Sequence, residues 1–98
     1  MEIQELTKTS RLVASGSVTD RACYIFVMCG MGISAATNVF NLYDGFGTSD
    51  RQVMTLGGIQ YQPDFRSFST PLFFAKGVYI DFTTNGTSFF IQYAEVGE

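Results

Sequence analysis

The chain has no histidine and no tryptophan, only two cysteines and two prolines, and little charge. Without histidine it lacks the usual general base of catalysis and the commonest metal ligand. A serine, threonine or cysteine nucleophile then needs another base. Neither a Ser-x-x-Lys nor a Gly-x-Ser-x-Gly stretch is present to provide that setting. Two cysteines without histidine and without a Cys-x-x-Cys pair make no zinc site. Asp, Glu, Lys and Arg together make up 15% of the residues, against about 25% in an ordinary soluble domain. The six bases, Lys8, Arg11, Arg21, Arg51, Arg66 and Lys76, are never adjacent, and the net charge is −3. Nucleic-acid binding requires a basic stripe that displaces counterions from phosphates, and an anionic membrane surface attracts basic clusters. Neither partner is expected. No apolar run is long enough for a membrane-spanning helix.

What the chain has in quantity is hydrophobic residues, at 46%, with ten Phe and five Tyr among its 98 residues. That length holds one hydrophobic core. The opening stretch Met1-Glu2-Ile3-Gln4-Glu5-Leu6 is acidic and reads as the start of an arm over residues 1–8, not as a signal peptide. Residues 9–98 read as a single domain.

Short apolar runs alternate with Gly, Pro, Asn and Asp, which is the punctuation of an all-β chain. Strands are expected over residues 10–15, 21–29, 37–43, 52–56, 59–61, 65–69, 78–83 and 88–94. Pro63 and Pro71 bracket the sixth and suit edges or turns, because proline donates no ladder hydrogen bond. Asn85-Gly86 between the last two runs predicts a C-terminal β-hairpin. Seven or eight such strands predict an antiparallel β-sandwich or a jelly roll.

The run over 21–29 is apolar on both faces. Cys23, Ile25, Val27 and Cys29 alternate with Ala22, Tyr24, Phe26 and Met28. One face belongs to the core and the other needs a cover. Tyr24, Phe26 and Met28 are therefore interface candidates, together with Ile3 and Leu6 of the arm. The cover is either the chain's own arm or a neighbouring molecule. On one strand Cys23 and Cys29 stand roughly 20 Å apart, too far for a disulfide, and are expected as free thiols.

Other constellations are weaker. Gly30-Met31-Gly32-Ile33-Ser34-Ala35 matches the dinucleotide-binding turn, but the following Thr37-Asn38-Val39-Phe40-Asn41 favours strand over helix. Asp44, Thr48 and Asp50 could surround a calcium ion, yet the loop lacks the EF-hand spacing. Asp20, Asp44, Asp50, Asp64 and Asp81 fall mostly at expected turns and strand exits, as solvated acids do. The tyrosines could stack on a sugar, although tryptophan, the strongest platform, is absent. No catalytic residue, metal or cofactor is expected.

Three stretches in this order resemble small β-sandwich structural proteins of tailed bacteriophages, most of all capsid decoration (cement) proteins. They are Val13-Ala14-Ser15-Gly16, Leu42-Tyr43-Asp44-Gly45 and Phe73-Phe74-Ala75-Lys76-Gly77-Val78-Tyr79-Ile80-Asp81, followed by an aromatic strand with Tyr93. The resemblance implies a non-enzymatic virion protein on the outside of a phage head. It would be assembled in the host cytoplasm as a homotrimer, with the major capsid protein as partner. It transfers no individual binding residue. The alternative is a tail-fibre or tail-tip module that binds a receptor or glycan.

Overall fold

A computed structural model describes residues 7–32, 38–58, 64–84 and 86–96. The strands are β1 (Thr7–Leu12), β2 (Gly16–Thr19), β3 (Cys23–Gly32), β4 (Asn38–Asp44), β5 (Arg51–Gly58), β6 (Asp64–Phe74), β7 (Val78–Thr84) and β8 (Gly86–Glu95). No helix occurs among the described residues. Thr7 and Lys8, read from sequence as the end of the arm, open β1. Residues 1–6 lie outside the described residues, as do the expected strand at 59–61 and the turn residue Asn85.

The strands form two antiparallel four-stranded sheets packed face to face. Sheet A has the order β1-β8-β3-β6 and sheet B the order β2-β7-β4-β5. The pairs β1–β8, β2–β7, β3–β6 and β4–β5 are those of one long ribbon folded over on itself. This is the winding of an eight-stranded jelly roll. Period-2 alternation then fills the space between the sheets. Sheet A contributes Cys23, Ile25, Met28, Phe74, Phe89, Ile91 and Tyr93, and sheet B contributes Phe40, Leu42, Leu56, Val78 and Ile80. Phe40 sits at the centre, with its ring 4.8 Å from Phe82 and 5.3 Å from Phe89 between centroids.

Two expectations are corrected. The C-terminal hairpin does not form: β7 belongs to sheet B and β8 to sheet A. Both strands are amphipathic and bury their apolar sides from opposite walls of one core. An Asn-Gly pair marks a reversal of the chain, but it does not say whether the strands then pair or arch across the core. The second correction concerns β3. Ile25 pairs with Tyr93 and Val27 with Gln92, so Phe26 is an extra residue, a β-bulge. The extra residue reverses the alternation beyond it. Met28, expected on the same face as Tyr24, is fully buried in the core. Cys29, expected beside Cys23 on one face, points to the opposite side of the sheet.

Pro71 lies inside β6, which is an edge strand of sheet A. An edge tolerates a missing donor.

Candidate functional site

The two outer faces of the sandwich differ sharply. That of sheet B is polar and internally satisfied. Gln52 Nε2 donates to Thr55 Oγ1 at 2.8 Å and to Asn41 Oδ1 at 3.3 Å, and Thr55 Oγ1 donates to Asn41 Oδ1 at 2.8 Å. Beside this cluster Tyr43 and Tyr79 meet edge to face. Ser15 Oγ accepts from Phe82 N at 2.8 Å and lies 3.4 Å from Asp81 Oδ1, to which it donates.

The outer face of sheet A carries aromatic side chains set among polar ones. Its side chains fall into rows fixed by the ladder register. One row is Arg11–Phe90–Cys29–Phe65, the next Thr9–Gln92–Val27–Ser67, and the third Thr7–Ala94–Tyr24–Phe73. Phe65 is 61% exposed, Phe73 54%, Met31 45% and Tyr24 44%. Tyr24 and Phe73 pair with ring centroids 5.2 Å apart. Such a concentration of exposed aromatic and aliphatic side chains on one face is the kind of patch that marks a contact surface.

The β3 bulge adds relief to this face. Ile25 pairs with Leu72 and Val27 with Ser67, so Phe68, Ser69, Thr70 and Pro71 of β6 stand opposite the single Phe26. The edge strand bows away, and a groove of about 370 Å³ opens among Tyr24, Phe26, Thr70, Pro71, Ala94, Glu95 and Val96. Its walls are almost entirely carbon. Glycan sites combine an aromatic platform with convergent polar groups, and this groove offers an apolar side chain a far better fit than a sugar.

Of the residues picked out from sequence, Tyr24 and Phe26 lie together on this groove, and Met28 lies in the core beneath. Ile3 and Leu6 fall outside the described residues. Phe65, Phe73 and Phe90 were missed as surface residues. Phe73 and Phe90 have apolar neighbours on both sides in sequence, so alternation gave no phase for them, and Phe65, between Asp64 and Arg66, read as the inward residue of a short strand.

Asp44, Asp50 and Gly30 each have a role in the fold. Asp44 accepts from Ala75 N at 3.1 Å and Lys76 N at 2.8 Å, and Asp50 accepts from Phe46 N at 2.7 Å. Both carboxylates, weighed as calcium ligands and not expected to be, hold backbone amides. Among the described residues no group of three or more Cys, Asp or Glu is placed to hold a metal ion. Gly30, the first glycine of the dinucleotide-like stretch, continues β3 as strand. Cys23 and Cys29 are free. Burial, with Glu95 and Asp44 adding to it, pushes the Cys23 thiol up to about 12. Burial and then Asp64 also raise Cys29. Both thiols stay protonated at neutral pH, where a thiol is a poor nucleophile.

At one end of the sandwich the Glu95 carboxylate accepts hydrogen bonds from Lys8 and Thr19, tying β8 to β1 and to β2 of the other sheet. The Lys8 and then the Thr19 hydrogen bond hold the Glu95 carboxyl below its ordinary value of 4.5. A carboxyl whose value is depressed by folding stabilises the fold above its unfolded value, and that contribution disappears as pH falls through the folded value. Glu95→Gln should therefore cost about 1 kcal/mol at neutral pH, and the gap to the wild type should close below about pH 4.5. Urea melts of both proteins between pH 7 and pH 3 check this. A gap that persists at pH 3 means the charge is not what holds the two sheets there.

No protein-family model matches this chain, and no curated protein or solved structure matches it either.

Proposed function

We propose that the chain is a non-enzymatic virion structural protein that works by surface contact. Specifically, it is a capsid decoration (cement) protein that binds the outside of a phage head through the outer face of sheet A and stabilises the shell. The observation that carries this reading is the contrast between the two outer faces: that of sheet B holds an internally bonded polar cluster, and that of sheet A, among the described residues, exposes the aromatic side chains Phe65, Phe73, Phe90 and Tyr24. Burying a large apolar side chain is worth roughly 1.5–3 kcal/mol. The rows of sheet A hold several such side chains, enough to offset the cost of association. The jelly-roll winding agrees with this, since capsid domains use it, although lectins and cupins use it too and fold alone fixes no function.

The major capsid protein is the partner on the shell, in the threefold grouping that the resemblance implies. The carbon-lined groove favours this reading over a glycan-binding tail module. Co-sedimentation with purified capsids tests it. The wild-type protein is expected to pellet with particles that lack it and to raise their melting temperature. Phe73→Asp should abolish pelleting while the protein stays folded, its thermal midpoint lowered only modestly by loss of the ring contact with Tyr24, because Phe73 is an exposed side chain outside the core. A wild-type protein that stays in the supernatant at every capsid concentration sinks the capsid reading.

A further inference from the structure

We propose that Asp64 guards the free edge of β5. From the opposite sheet its carboxylate occupies an edge amide that would otherwise pair β5 with the same strand of a second copy. The inference is independent of the capsid reading and of the outer face of sheet A.

The two sheets end in β1 and β6 on one side of the core and in β2 and β5 on the other. An edge strand offers a row of backbone donors and acceptors to any other chain, and proteins blunt such edges with charge, proline, bulges or short length. β1 carries Lys8 and Arg11. β2 is a short strand, Gly16–Thr19, with an irregular register between Ser17 and Thr19. β6 carries Asp64, Arg66 and Pro71 and the irregular stretch opposite Phe26. β5 is different. After Arg51 it has no charge and no proline, and the uncharged sequence runs on to Gln62. Leu42 pairs with Met54 and Tyr43 with Gln52, so Val53 is an extra residue near one end. From Met54 to Gly58 the ladder to β4 is regular. Short stretches of β-forming residues with little charge and no proline are the ones that pair edge to edge.

The guard stands at the far end of that stretch. The Gly57 amide donates to Asp64 Oδ2 at 3.0 Å. Asp64 opens β6, in the other sheet, so this N–H points away from β4 and toward the free edge. In an antiparallel ladder alternate residues direct their backbone groups to the same side. Thr55 therefore presents its N–H and C=O on the Gly57 side, and residues 55 and 57 are what an incoming strand would use. The same stretch of a second copy fits this edge, because identical antiparallel strands pair reciprocally about a two-fold axis. The Asp64 carboxylate sits where the carbonyl of that strand would lie. Its position is fixed by a fork: Arg66 Nε donates to Oδ1 at 2.8 Å and Arg66 Nη2 to Oδ2 at 3.1 Å. The Arg66 hydrogen bond, opposed by desolvation and aided by the Gly57 amide, holds the Asp64 carboxyl below its ordinary value of 3.8. At neutral pH the guard is charged, and two such charges would meet across a β5–β5 pair.

The test is sedimentation of the full chain across concentrations, below the thermal midpoint of each variant. Asp64→Ala is expected to show a weight-average mass about twofold or more above that of the wild type at the same high concentration, as pairing of copies gives. Arg66→Ala loosens the clamp on Asp64 and should give a smaller rise in the same direction. It also decides the matter if Asp64→Ala does not fold. Adding Thr55→Lys to either variant places a charge on the exposed middle of β5. It should return the mass to the wild-type value without restoring any lost thermal midpoint, which a purely structural role for Asp64 would not produce. Folded variants that keep the wild-type mass at every concentration overturn the proposal. So does association that Thr55→Lys leaves unchanged, because the contact then lies elsewhere than on β5.

Discussion

Replacing Phe40 by alanine is expected to cost about 3–5 kcal/mol of folding stability, the range for emptying a large aromatic site in a packed core. Phe40 is fully buried and touches the rings of Phe82 in its own sheet and Phe89 in the opposite one. It is a main bridge between the two layers. The reason it fits there lies in β3. A Cβ built on Gly30 would stand 2.5 Å from Phe40 Cδ2 and 2.6 Å from its Cε2. Gly30 is thus the recess that admits the ring. In a strand, alanine is ordinarily better than glycine by roughly 0.5–1 kcal/mol. Here overpacking should win, and Gly30→Ala should cost about 1–3 kcal/mol. In the Phe40→Ala background the obstacle is gone, and Gly30→Ala should become neutral or stabilising. Chemical denaturation of the four proteins in this cycle measures the coupling directly. Equal effects of Gly30→Ala in both backgrounds would mean that the ring does not occupy that recess.

The glycine that a motif search assigns to a phosphate therefore serves an aromatic ring, and the lesson extends to the rest of the chain. The all-β class and most of the strands were legible, because turn residues punctuate the sequence and apolar positions alternate, but β2 at Gly16–Thr19 was missed, since Gly16 read as the end of a strand at 10–15. Residues 78–83 and 88–94 lie within the observed β7 and β8. Their assignment to different sheets was not legible, since alternation records which side is buried and not which neighbour supplies the hydrogen bonds. The 21–29 run shows the other limit. With both faces apolar it carries no phase, so one extra residue at Phe26 can move Met28 inward and Cys29 outward without any trace in the composition. The candidate surface was half visible for the same reason. Tyr24 and Phe26 could be named, but Phe65, Phe73 and Phe90 join them only through the register of β6 and β8 against β3. Pro71, read as a boundary of a short strand, is instead carried inside the long edge strand β6.

Gly77→Ala is expected to destabilise the protein by about 2–5 kcal/mol, combining a strained backbone with a steric conflict that side-chain motion cannot relieve. Gly77 has φ +153°, and an added Cβ would stand 2.4 Å from the Thr19 carbonyl oxygen and 3.0 Å from Asp20 Cα. Both obstacles are backbone. Gly47, in a neighbouring loop, has nothing within 4 Å of a built Cβ and carries no positive φ, so Gly47→Ala is the matched control and should be close to neutral. The Gly77 loop does more than turn the chain from β6 to β7. The Gly77 carbonyl accepts from Gly45 N at 3.2 Å, and the Asp44 carboxylate takes the amides of Ala75 and Lys76. These bonds fasten the end of β6 to the end of β4, in the opposite sheet. Phe73 and Phe74 are the last two residues of that strand: one faces the contact surface beside Tyr24, the other fills the core. Loosening the loop should therefore disturb the outer face before the whole sandwich unfolds. Thermal melts should show the loss of stability. At temperatures where the variant is still folded, weaker co-sedimentation with capsids should show that the latch holds Phe73 in place. A Gly77→Ala protein as stable as the Gly47→Ala control would rule out this close approach of β2 to the loop.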